Sequence, residues 1–146
     1  MTDRADPKWV TEMFDHAGVD HDRLTQSLIK MGTKCLKTKE MKEMWSEDNP
    51  TCNYCYVIAE FTYWYVAPKG TKPYSLEVPS YGSLHRFLKF PDEKIIDLAV
   101  EQFYDMSEID YTKARHRPFM QTGGKGPSKR AKMLAELMGY TKVLEK

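Results

Sequence analysis

Three residue types that together support nucleophilic chemistry occur in order along this chain. Cys55 opens the run Cys55-Tyr56-Val57-Ile58-Ala59-Glu60, His85 lies in Leu84-His85-Arg86-Phe87-Leu88, and Asp97 lies in Ile95-Ile96-Asp97-Leu98. A thiolate attacks an acyl carbon, an imidazole carries the proton, and a carboxylate orients the imidazole. Taken singly, each residue has a blander reading. Cys55 would be a buried helix cysteine, His85 a core or surface histidine on a strand, and Asp97 an N-cap for a turn over 98–104. Their order along the chain gives the triad its weight.

Other chemistry is weaker. Cys52 and Cys55 form a C-x-x-C pair. A thioredoxin-like pair follows a strand within a βαβ pattern, whereas a Pro50-containing loop precedes this one. A zinc site needs about four ligands, and His85 and His116 as third and fourth match no spacing pattern. Cys52 also suits a resolving thiol for an oxidised Cys55. The segment Gly123-Gly124-Lys125-Gly126-Pro127-Ser128-Lys129-Arg130 is Gly-rich and basic but lacks the Gly-Lys-Ser/Thr of a phosphate loop. Lys125, Lys129 and Arg130 at a helix start offer a place for an acidic partner or nucleic acid, against the default of a solvated loop.

The elements that must position these residues follow from punctuation and period. Pro7 and Gly18 bracket a short helix over 7–17. A second helix starts at Asp20 or Asp22, with Leu24, Leu28, Met31 and Cys35 on one stripe. It is expected to reach about Lys39, with Gly32 weakening its middle. Met41, Met44 and Trp45 belong to a further turn. The run 55–65 is rich in β-formers. Yet Val57, Phe61, Trp64 and Tyr65 share one helical face, and a helix N-terminus suits a nucleophilic thiol. A helix is therefore expected there. Strands are expected at 74–78, 83–90 and 94–98, with turns at 68–73 and 79–82, a helical turn at 99–104, irregular chain over 105–126, and a last helix from Pro127 or Ser128.

The hairpin carries a geometric condition. If Pro91, Asp92 and Glu93 form its loop, Phe90 pairs with Lys94 and Phe87 faces Asp97. His85 then sits diagonally from Asp97 on the same face, at roughly 7–8 Å between α-carbons. A two-residue loop would put His85 and Asp97 on opposite faces. The triad thus requires an odd loop.

Composition sets the outer bounds. A chain of 146 residues reads as one domain, able to bury a core without disulfides or metal. Its net charge of +1 creates no global field toward nucleic acid. Charge is nonetheless uneven: residues 76–110 carry three Lys/Arg against eight Asp/Glu, and residues 111–146 nine against two. No apolar run is long enough to span a membrane. The first residues lack the order of a signal peptide, and an odd cysteine count argues against a disulfide framework. The expectation is a cytoplasmic protein with reduced thiols.

Around the same three residues the chain resembles the YunG-like family of small bacterial and phage proteins. The matching pieces are Trp45-Ser46, Asn49-Pro50-Thr51, Cys55, His85, Asp97-Leu98, Gln102-Phe103 and Pro127-Ser128-Lys129-Arg130. The resemblance spans roughly 45–138, leaving 1–44 as a helical N-terminal region of a single 1–146 domain. It implies a papain-like or transglutaminase-like cysteine fold. Where the family has Gly and Gln before the cysteine, this chain has Asn53 and Tyr54. Leu84 stands for Trp, and Ala99 for Thr. Tyr54 offers a hydroxyl in place of the amide that could serve an oxyanion.

The expected fold is α+β, with the Cys55 helix on a small antiparallel sheet. The expected activity is acyl transfer or amide hydrolysis on a protein or peptide substrate. Cys55 is its nucleophile, His85 its base and Asp97 its orienter, and no cofactor is implied. The departures at Tyr54 and Leu84 favour an alternative, a non-catalytic binding protein on the same fold, such as a phage protein acting on a host partner. Redox or metal use of Cys52 and Cys55 is a further alternative.

Overall fold

Helix boundaries in the structure, a computed structural model describing residues 7–79, 84–119 and 125–146, follow the capping residues closely. Helix α1 (Lys8–Ala17) begins after Pro7 and ends where Gly18 turns left-handed at φ 71°. Helix α2 (His21–Met31) is capped by the Asp20 carboxylate, which accepts from the Arg23 N–H. It stops at Gly32, with φ 54° and ψ −134°, and does not continue to Lys39. A positive φ cannot be carried inside an α-helix, so Gly32 is a terminator and not merely a weak point. Cys35 therefore leaves the helical stripe. It lies half-buried in the following turn, its sulfur 3.4 Å from that of Met133. Helix α3 (Lys39–Met44) starts at Thr38, whose hydroxyl accepts from the Met41 N–H.

Helix α4 (Cys55–Tyr65) forms over the run rich in β-formers. Nine of its eleven residues are buried, so it is enclosed nearly all round. Burial of Val57, Ile58, Phe61 and Trp64 against the rest of the core outweighs their strand propensity. The sheet packs on α4 through β2, and α5 (Lys129–Met138) packs against it as well.

Four antiparallel strands lie in the order β3-β2-β1-β4: β1 (Lys72–Glu77), β2 (Leu84–Lys89), β3 (Ile95–Ile96) and β4 (Arg115–His116). Strand β3 is shorter than the expected 94–98, because Asp97 leaves the ladder to face the core. The β2–β3 register pairs Leu88 with Ile96 and Lys89 with Ile95. The Phe90 N–H reaches the Lys94 carbonyl at 2.9 Å. Pro91, Asp92 and Glu93 thus form the odd loop, and Glu93 takes the left-handed position at φ 70° that such loops need. Between β3 and β4 lie three 3₁₀ turns, Val100–Gln102, Met106–Glu108 and Tyr111–Lys113.

The architecture is α+β, as the order of elements predicts. Ser128 caps α5, its hydroxyl oxygen accepting from the Ala131 N–H at 3.3 Å. Ser128 in turn donates its own N–H and hydroxyl to the fully buried Glu60 carboxylate, at 3.1 and 2.6 Å. Glu60 therefore ties α4 to the start of α5, and burial pushes its carboxyl above the usual range, against the hydrogen bonds from Ser128. Arg130 is half-buried, and one N–H of its guanidinium donates to the Cys35 carbonyl at 3.1 Å. Lys125 and Lys129 are exposed. Residues 80–82 of the expected turn, and Gly123 and Gly124, lie outside the described residues. No described helix is long and apolar enough to cross a membrane.

Candidate active site

Cys55 is the first residue of α4, and the loop before it is built to hold it there. The Trp45 indole donates to the Pro50 carbonyl at 2.9 Å, and backbone N–H groups of Asn49, Cys52 and Tyr54 close successive turns onto Ser46, Asn49 and Thr51. Asn53 then adopts φ 65°, a left-handed conformation open to Gly and tolerated by Asn.

His85 is fully buried on β2. Its Nε2 lies 2.6 Å from Asp97 Oδ2, across the hairpin and on the same face, as the odd loop requires. The rings of Phe87 and Phe103 flank the imidazole at 6.3 and 4.8 Å. Asp97 is itself well served: Oδ2 also accepts from the Tyr111 hydroxyl at 2.7 Å, and Oδ1 from the Ala99 N–H at 3.2 Å. The carboxylate thus combines the orienting role with the local turn role. The Cys55 thiol is near enough to the imidazole to act on it by hydrogen bonding and by charge. With Nε2 committed to Asp97, Nδ1 is the ring nitrogen left for that thiol.

Electrostatics follow from this packing. Burial pulls the His85 imidazole down. The charge and hydrogen bond of Asp97, with the hydrogen bond and charge of Cys55, push it up, and the net direction is up. The Tyr111 hydroxyl is pushed up by burial and by Asp97, so it stays a donor. Burial, with Cys55 nearby, also raises the Cys52 thiol. Cys52 is therefore held as a neutral thiol, which weakens its use as a redox partner. Arg86, beside His85 in sequence, is buried with its guanidinium over the rings of Tyr56 and Phe119 at 4.9 and 5.2 Å. It donates to the carbonyls of Arg117 and Pro118, and burial lowers its pKa.

The Tyr54 hydroxyl does not face the thiol. It donates to the Gly32 carbonyl at 2.6 Å and so ties the α4 N-terminus to the end of α2. Tyr54→Phe is expected to cost about 1 kcal/mol of stability in a urea titration, the worth of one hydrogen bond. It should leave the alkylation rate of Cys55 unchanged. A large fall in that rate with no loss of stability would return Tyr54 to the reacting centre.

Cys55 is 4% exposed. No space large enough for a water molecule opens among Cys55, Arg86 and Ala99. On another side the Cys55 sulfur lies 4.0 Å from the Leu84 carbonyl. Leu84 also lines a groove of about 860 Å³ bounded by Ser75, Glu77, Val78, Asp110 and Arg115. Among the described residues, no group of three or more His, Cys, Asp or Glu converges to hold a metal. His116 pairs with Tyr74 on the outer strand and is exposed, apart from the two cysteines in both sheet order and burial.

Cys55, His85 and Asp97, read from the sequence, come together. Sequence reasoning missed three neighbours: Tyr111 on Asp97, Arg86 between its aromatic rings, and Gln102, whose side-chain nitrogen lies 3.1 Å from His85 Nδ1. Gln102 was visible only within the family-like Gln-Phe pair, and Tyr111 carried no signal of spacing at all. No family model matches the chain, and no curated protein or solved structure matches it either.

Proposed function

We propose that the protein is a cysteine-dependent acyl-transfer or amide-hydrolysing enzyme. Cys55 is the nucleophile, His85 the base and Asp97 the orienter, on a fold of the papain-like or transglutaminase-like kind that the YunG-like resemblance implies. The observation that carries this reading is the fully buried His85–Asp97 pair at 2.6 Å, with the Cys55 thiol on the same imidazole. A histidine held only for packing does not need a carboxylate that is itself fixed by Tyr111 and Ala99.

In the reaction, the thiol proton passes to Nδ1 as the sulfur–carbon bond forms, and the carbonyl electron pair moves onto oxygen. Backbone N–H groups at the start of α4 would stabilise that developing charge. Collapse expels the leaving group, which takes the proton from Nδ1, and leaves a thioester on Cys55. Water or an acceptor amine then releases the acyl group. The groove at Leu84 is where a peptide-like substrate would lie.

The test is acylation by a small activated ester, p-nitrophenyl acetate, followed by peptide mass mapping. Acetylation concentrated on Cys55 and absent in Cys55→Ala is the expected result. Acetyl groups spread over Cys35, Cys52 and lysines, with Cys55 untouched, would sink it. That second outcome would favour the non-catalytic binding protein, a reading that the closed setting of the thiol also supports.

A further inference from the structure

Gln102 touches the one atom on which the proposed chemistry turns, and its orientation is not free. Its Oε1 accepts from the Asn53 backbone N–H at 3.2 Å, and its backbone carbonyl accepts from the Asn49 amide at 3.0 Å. The Asn53 N–H is fixed by the left-handed turn just before the nucleophile. A backbone N–H can only donate, so the Gln102 atom facing it is oxygen and the atom facing His85 Nδ1 is nitrogen. The Gln102 amide therefore donates into Nδ1. That assigns the imidazole hydrogen to Nε2, where Asp97 accepts it. The chain of donors runs from Asn53 through Gln102 and His85 to Asp97 without a gap.

The lone pair on Nδ1 is also the one the Cys55 thiol must use. Two donors, the thiol and the amide, thus compete for a single acceptor. If the thiol proton moved to Nδ1, an N–H would face the Gln102 N–H at 3.1 Å. Turning the amide over would only move the clash to Asn53. Asp97 favours a charged imidazole, while Gln102 disfavours it. At rest the amide prevails: a proton on Nδ1 would face the Gln102 N–H at 3.1 Å, while Asp97 keeps its three donors, Nε2–H, the Tyr111 hydroxyl and the Ala99 N–H, with the imidazole neutral.

We propose that Gln102 is a positioning residue that sets the His85 tautomer and restrains proton transfer from Cys55. The empty site then rests as thiol and neutral imidazole. The amide has to leave Nδ1 before the thiolate forms, and a substrate carbonyl arriving at Cys55 offers it another acceptor. The inference rests on Cys55 and His85 acting as the proposed pair.

The experiment follows the pH dependence of Cys55 alkylation by iodoacetamide, read by peptide mapping with Cys35 and Cys52 as internal standards. Gln102→Met removes the donor and keeps the length of the side chain. It is expected to raise the Cys55 rate near pH 6 by about tenfold, equivalent to one pKa unit in the titration of the pair. The gain should vanish when His85→Ala is added. A merely structural role would leave the midpoint in place, or expose Cys35 and Cys52 equally. Imidazole nitrogen NMR on the unmodified protein gives an independent reading should Gln102→Met fold poorly: near pH 7 the proton should sit on Nε2, with Nδ1 bare. An unshifted midpoint in folded Gln102→Met, or a protonated Nδ1, overturns the inference. A Cys55 rate that depends on His85 but not on Gln102 leaves the nucleophile reading standing. A rate indifferent to both removes that reading too.

Discussion

Replacing His85 by Ala is expected to slow alkylation of Cys55 near neutral pH by about a hundredfold, the lower end of what a positioned general base contributes. Cys55 is 4% exposed, with Ile58, Ala59 and Phe87 around it, and apolar burial disfavours a thiolate that lacks a partner. Without the imidazole, the start of α4 and the buried Arg86 are the remaining positive features near it. Iodoacetamide is small and does not require the acyl-binding groove, so the loss reports the proton acceptor and not substrate affinity. Cys35 and Cys52, followed in the same digest, show whether the fold has opened. An unchanged Cys55 rate in folded His85→Ala would make Cys55 a core residue and end the triad reading.

Asp97→Ala is expected to cost about 3 kcal/mol of folding stability, a large share of what a domain of this size holds. The carboxylate accepts from three groups: His85 Nε2, the Tyr111 hydroxyl and the Ala99 N–H. The imidazole is fully enclosed, so water cannot replace the lost acceptor. Asp97→Asn keeps the shape but presents one oxygen and one N–H group. It should fall between the two in urea midpoint while lowering Cys55 alkylation, since the histidine tautomer is no longer enforced. A loss below about 1 kcal/mol in Asp97→Ala would show that packing alone, through Phe87 and Phe103, holds the imidazole. The Asp97 role would then be confined to the turn at Ala99.

Local chemistry in the sequence was sufficient for much of this molecule. Asp20 and Ser128 cap helices as side chains of their type do, and Gly18 ends a helix in the left-handed conformation that suits glycine. Parity made the hairpin loop a condition: three residues put His85 and Asp97 on one face and two would separate them, so the triad demanded an odd loop before any distance was known. Cys55 at a helix start was readable from the apolar face of 55–65, against the strand propensity of the same residues.

Other features depended on what lies across the core. Gly32 ends α2 instead of weakening it. Whether a glycine in a helical pattern is tolerated or taken as a stop depends on where the chain must go next. Here its carbonyl is drawn to the Tyr54 hydroxyl, 22 residues away. Tyr54 looked like a donor beside the nucleophile, yet its side chain points from the α4 N-terminus toward α2. Arg130 read as a surface charge, yet it is half-buried and also donates to the Cys35 carbonyl, 95 residues distant.

The same holds for the site. Residue type and order along the chain determined the nucleophile, the base and the orienting carboxylate as candidates, because strand parity and helix capping are short-range rules. Which groups complete the hydrogen bonding of His85 and Asp97 was decided only by the tertiary structure. Gln102 and Tyr111 reach them from 3₁₀ turns whose placement no periodicity encodes. A buried polar atom takes whichever partner the packed chain brings within about 3 Å, and that choice is made by long-range packing.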